Sequence, residues 1–207
     1  EENGSKTPVN YVLPPGIERE VSAASAALIK QNEQAMSLTV CNLKDGNSRA
    51  AYKNTDLDVR SYKKMKMYIH GEASANTSDQ LHNNDLRVFI RLGTDYTDNY
   101  YEYEIPLAIT PPGNYNGTNE DDQYKVWPEG NEMVLEFAKL QSAKQKRNID
   151  MAGNPAITLA SEYTVADANR VITIKGNPNL SAIKTIMIGV RNPKKNSPGD
   201  VSDDGLP

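Results

Sequence analysis

The groups with the widest chemical reach in this sequence are carboxylates in loops. Asp95 and Asp98 flank a turn, Glu120, Asp121 and Asp122 are consecutive, and Asp203 and Asp204 lie near the C-terminus. Calcium takes loop carboxylates and carbonyls, so a structural calcium is the one ion these segments could hold. None of them has the spacing of a complete calcium loop. Aspartate is a routine turn residue, so solvated turn acids are the expected role and no cofactor is expected. Glycoside hydrolysis would need two carboxylates across a cleft, one of them desolvated, and no spacing singles out such a pair. Zinc asks for three or four soft or imidazole ligands. The sequence offers one cysteine, Cys41, and two histidines, His70 and His82, at scattered positions. A phosphate-cradling glycine loop and a nucleophile elbow are both missing. Neither catalysis nor a bound transition metal is expected.

Aromatic residues are the next candidates. There are 11 Tyr against 2 Phe and 1 Trp. Tyr96, Tyr100, Tyr115, Tyr124 and Trp127 fall in one region, together with Tyr101 and Tyr103. Such rings could contact a partner or stack on a sugar, because they join apolar area to a polar tip. Tyr is also a good strand residue, and strand packing with loop anchoring is the reading favoured. Cys41 lies in the alternating stretch Ser37 to Leu43 and is expected to be a buried strand cysteine. A single cysteine permits no internal disulfide.

The elements that must position these residues are mostly strands. Apolar and polar residues alternate through Met65, Met67 and Ile69, through Leu86, Val88, Ile90 and Leu92, and through Tyr101, Tyr103 and Ile105. The same pattern covers Met133, Leu135 and Phe137, and Val171, Ile172 and Ile174 read as a short strand. Ile186-Met187-Ile188 is apolar on both faces and reads as a central, covered strand. A short helix is predicted from Phe137 to Lys146, with Lys144, Lys146 and Arg147 as its solvated basic end. Helices are too few to cover a parallel sheet. The fold class expected is therefore all-β: an antiparallel two-sheet β-sandwich, jelly-roll or galactose-binding-like, with one or two short helices. Met65, Met67, Ile69, Val88, Ile90, Ile186 and Ile188 should be mostly buried. Residues 1–35 read as an extended arm with a weak helix from Ile17 to Leu28, 36–192 as the sandwich, and 193–207 as a Pro- and Gly-rich linker.

The net charge of −4 is spread evenly, so no basic stripe points to nucleic acid. No apolar run approaches the roughly 18 residues that span a bilayer as a helix.

Several longer motifs recur as a set. They are Tyr11-Val12-Leu13-Pro14-Pro15-Gly16-Ile17-Glu18-Arg19-Glu20, Val40-Cys41-Asn42-Leu43 with Asp45-Gly46, and Arg91-Leu92-Gly93-Thr94-Asp95. Gln31-Asn32-Glu33-Gln34, Tyr52-Lys53-Asn54, Met67-Tyr68-Ile69-His70, Asn99-Tyr100-Tyr101-Glu102-Tyr103, Trp127-Pro128, Val190-Arg191-Asn192-Pro193 and Asp203-Asp204-Gly205 complete it. Together these resemble the SprA/Sov family of type IX secretion and gliding-motility proteins. The resemblance implies a soluble, non-catalytic fragment of a far longer outer-membrane translocon, found in Bacteroidetes. Its implied partners are other type IX secretion components and exported proteins, and its tie to the membrane runs only through the parent barrel. Its implied place is the cell envelope, on the cell-surface side in preference to the periplasm. The competing expectation is a carbohydrate-binding jelly-roll module of a cell-surface protein.

Overall fold

A computed structural model describes residues 9–19, 35–73 and 81–194. The alternating stretches pair as the pattern demands. In chain order the strands are β1 (Ser48–Leu57), β2 (Lys64–Met67), β3 (Arg87–Gly93), β4 (Tyr100–Pro106), β5 (Met133–Glu136), β6 (Tyr163–Asp167), β7 (Arg170–Lys175) and β8 (Ile183–Arg191). Two helices, α1 (Glu120–Val126) and α2 (Phe137–Gly153), flank β5. Six strands form one antiparallel sheet in the order β1-β8-β3-β4-β7-β6, and β2 with β5 forms a second.

Register puts like with like. Val88 faces Ile105, Ile90 faces both Tyr103 and Ile188, and Tyr101 faces Ile174. One face of the large sheet is therefore apolar, because side chains alternate across a strand. It packs on Met133 and Leu135 of β5, on the half-buried Met65 and Met67 of β2, and on Phe137, Leu140 and Ala143 of α2. The expected two-sheet sandwich is present, with α2 completing the narrower layer. The residues of α2 are good helix formers and its buried positions recur every three or four residues. It starts where β5 ends, its first N–H donating to the Lys63 carbonyl at 3.2 Å, and Asn154-Pro155 follows its end.

Several expectations need correction. The helix runs to Gly153, so Lys144, Lys146 and Arg147 are not its solvated end; Arg147 is buried. Ile186 and Ile188 are half-buried rather than covered. The small layer does not reach across to the β1–β8 side of the sheet. Met65, Met67 and Ile69 are also half-buried, since a two-stranded sheet leaves both its strands as edges. Cys41 is exposed and outside any strand. β8 already has β3 on one side and β1 on the other, and Ser37 to Leu43 does not add to the outer side of β1 as a further strand. Only Leu43 of that stretch is buried.

Two of the recurrent motifs meet here. Buried Asn192 donates its side-chain amide to the Leu43 carbonyl at 2.9 Å and its N–H to the Asn47 carbonyl at 3.0 Å, while its carbonyl accepts from the Gly46 N–H at 2.9 Å. This clasp fixes where β1 begins beside the end of β8. Of the arm, residues 9–19 form no helix and are broken by a turn at Pro15-Gly16, where the Ile17 N–H donates to the Pro14 carbonyl at 3.1 Å. Val9 and Val12 pack with Val126 against Tyr115 and Trp127. The expected helix falls largely on residues 20–34, and the tail on 195–207, outside the described residues.

Candidate interaction surface

The second face of the large sheet carries charge where the first carries aliphatics. Arg87 and Arg91 of β3, Glu102 and Glu104 of β4 and Arg191 of β8 form one network. Arg91 stands opposite Glu102 in register and binds it through Nη2 at 2.6 Å. Arg191 reaches the other oxygen of Glu102 at 2.9 Å. Arg87 and Arg191 both contact Glu104. The guanidinium of Arg91 lies 3.7 Å over the Tyr100 ring, and that of Arg191 lies 4.8 Å from the Phe89 ring. The arginine stems therefore roof the sheet, which is how Phe89, Tyr100 and Glu102 come to be buried. Tyr100 donates its hydroxyl to Glu162 at 2.6 Å. Burial first, and then that carboxylate, push the hydroxyl well above the usual tyrosine range. Each carboxylate of the network is engaged by arginine, so it closes on itself. Site reasoning from sequence passed over it, although arginines on one strand matching glutamates on the next was the available signal.

One constellation has the outline of a nucleophile, base and acid. Thr110 Oγ1 lies 3.3 Å from His70 Nδ1, and His70 Nε2 lies 3.3 Å from Glu72. Its hydrogen bonding points elsewhere. His70 Nδ1 sits 2.9 Å from the Val126 carbonyl, which only accepts, so Nδ1 must carry the proton and donate it. A protonated Nδ1 cannot take a proton from Thr110. Thr110 is itself buried and within reach of the Lys125 and Val126 carbonyls. The group pins the end of α1 to the chain around Gly71, with Trp127 5.6 Å from the His70 ring.

The aromatic candidates separate into groups. Tyr96 packs on Tyr52, ring centroids 4.7 Å apart, and its carbonyl accepts from Arg91 at 2.5 Å. Tyr100 lies beneath Arg91. Trp127 donates Nε1–H to the Val12 carbonyl at 2.9 Å, and Tyr115 its hydroxyl to the Pro111 carbonyl at 2.7 Å. Tyr124 stands exposed on α1. No single platform unites them. The acids are likewise dispersed. Asp95 accepts from the N–H groups of Thr97, Asp98 and Asn99 and so shapes its turn. Asp98 pairs with Lys175, and Asp122 with Lys125. Asp203 and Asp204 lie outside the described residues. Among the described residues no three metal-ligating side chains gather, and no helix is long and apolar enough to cross a membrane.

What stays open is an edge. β1 is ten residues long, exposed along nearly its whole length, and ends the large sheet. Beside it runs an apolar groove of about 420 Å³ lined by Met36, Ala51, Lys53, Leu57, Ile186 and Ile188. An edge strand presents unpaired backbone groups to any extended chain. Here the open strand adjoins a single apolar groove, and strand addition at a sheet edge beside an apolar surface is one way sheets take up peptides.

A family model, SprA_N, described as motility related/secretion protein, matches residues 1–204. No curated protein matches the chain.

Proposed function

The chain belongs to this family of motility-related and secretion proteins, and from that premise we propose that it is a non-catalytic domain of a type IX secretion and gliding-motility translocon. In this reading it sits in the cell envelope with the outer-membrane translocon, on the cell-surface side, and serves export as a structural and partner-docking module. The observation that carries the docking role is the open β1 edge with its groove. Its occupant would be an extended segment of a secretion component or an exported protein, adding as a further strand. Arg49 and Lys53 alternate with Ala51 on the edge, so acidic residues between apolar ones suit the incoming strand. The closed ion network and the pinned His70 support a non-catalytic role, since each offers a satisfied structural duty.

A photo-crosslinking residue at Thr55, in the parent protein in cells, tests this. Adducts with secretion components or cargo, lost on adding Leu57→Glu, are the expected result. Equal labelling from Tyr124, on the distant exposed side of α1, would show that β1 has no special partner.

A further inference from the structure

Arg147 is the one buried arginine or lysine among the described residues, 1% exposed. Its guanidinium meets only neutral acceptors: the Gly176 carbonyl at 2.5 Å and Asn148 Oδ1 at 3.1 and 3.0 Å. No carboxylate among the described residues pairs with it. One turn earlier on α2, half-buried Lys144 donates to another neutral group, the Pro178 carbonyl, at 2.8 Å. Burial first, and then the charge of Arg147, lower the pKa of Lys144. Two cations on one helix face, taken partly out of water with no counter-ion, are costly.

They adjoin an opening. A pocket of about 320 Å³ has Gln141, Lys144, Gln145 and Asn148 along one wall, Arg60 on another and Tyr101 among its lining. No acidic residue lines it. Arg60 is held by Asp58 at 2.7 Å, which leaves Lys144, and Arg147 behind Asn148, as the uncompensated charge. Carboxamides suit ligand hydroxyls, and the volume is that of a small-molecule site.

We propose that this pocket binds a small oxyanion, a carboxylate or phosphate group on a polar ligand, seated on Lys144 and supplying the negative charge that the α2 cations lack. The oxyanion could belong to an acidic sugar or to a phosphate group.

Amide NMR titration of the 207-residue chain with glucuronate, inorganic phosphate and glucose tests it. Glucuronate or phosphate should shift the amides of residues 141–148 and 176–180, and glucose should not. Tighter binding of glucuronate assigns a sugar acid, and tighter phosphate a phosphate group. Lys144→Gln should weaken anion binding by about tenfold, the loss of one charge-assisted contact. Gln145→Glu places a carboxylate at the rim; it should abolish anion binding and raise the melting temperature, so it decides the matter even if Lys144→Gln folds poorly. No response to either anion at millimolar concentration, or an equal response to glucose, overturns the proposal.

Discussion

Glu102 holds two arginines at once, Arg91 at 2.6 Å and Arg191 at 2.9 Å, while its own side chain is almost wholly buried. Removing it leaves Arg91 without its carboxylate and Arg191 with Glu104 alone. Breaking a buried pair by deleting one partner costs about 3–5 kcal/mol. Glu102→Ala should therefore lower unfolding free energy by about 3 kcal/mol in urea melts, and Arg91→Ala should add much less to it than it costs alone. A loss within the ordinary surface range of about 0.5 kcal/mol would show that solvent screens the network. Asp95 gives a prediction in pH. Partial burial raises its pKa, but the N–H of Asp98, the side chain and N–H of Asn99 and the N–H of Thr97 lower it more, so it ends well below the usual carboxylate range. A depressed folded pKa contributes stability that is full above the unfolded value of about 3.9 and is lost as pH falls towards the folded one. Asp95→Ala should thus melt earlier than the parent at neutral pH, and the gap should narrow below about pH 3.9. Cys41 supplies a third check. Being exposed, it should react with a thiol reagent in the native protein nearly as fast as in denaturant, whereas a buried strand cysteine would wait for unfolding.

Among the elements, legibility followed burial. β3 and β4 were readable because one face of each is pressed into the core, which forces alternation on Val88, Ile90 and Leu92 and on Tyr101, Tyr103 and Ile105. β1 was not, because an edge strand exposed on both faces has no face to encode; its run from Ser48 to Leu57 shows no apolar period. The extent of α2 was hidden for the opposite reason. Its buried stripe continues through Arg147, which reads as polar in sequence and hence as solvated. The turn after β7 connects these elements. Gly176 adopts φ +67°, its N–H donates to the Leu159 carbonyl at 2.8 Å and its carbonyl receives Arg147 at 2.5 Å. A Cβ there would also collide with the Asp98 carbonyl. Gly176→Ala should destabilise by more than about 1 kcal/mol in the same urea melts, and a neutral result would mean that the turn relaxes freely.

For the whole molecule, the recurrent motifs that suggested the family serve largely as clasps. Asn192 locks Gly46 and Asn47, Trp127 locks the arm at Val12, and Asp95 closes the β3–β4 turn. Fold and kinship were legible for that reason, since such clasps need particular side chains. The open β1 edge was not, because a strand exposed along nearly its whole length has no buried face to impose a pattern on its residues. Secretion tests the account most directly. The chromosomal gene would be replaced by one lacking residues 36–192 in frame, and type IX cargo in the medium measured against parent barrel in the outer membrane. The account predicts that cargo falls sharply while the barrel still assembles, and that Met36→Glu with Leu57→Glu lowers it with the domain intact. Normal export from the deleted strain, with the barrel at its usual level, would contradict it.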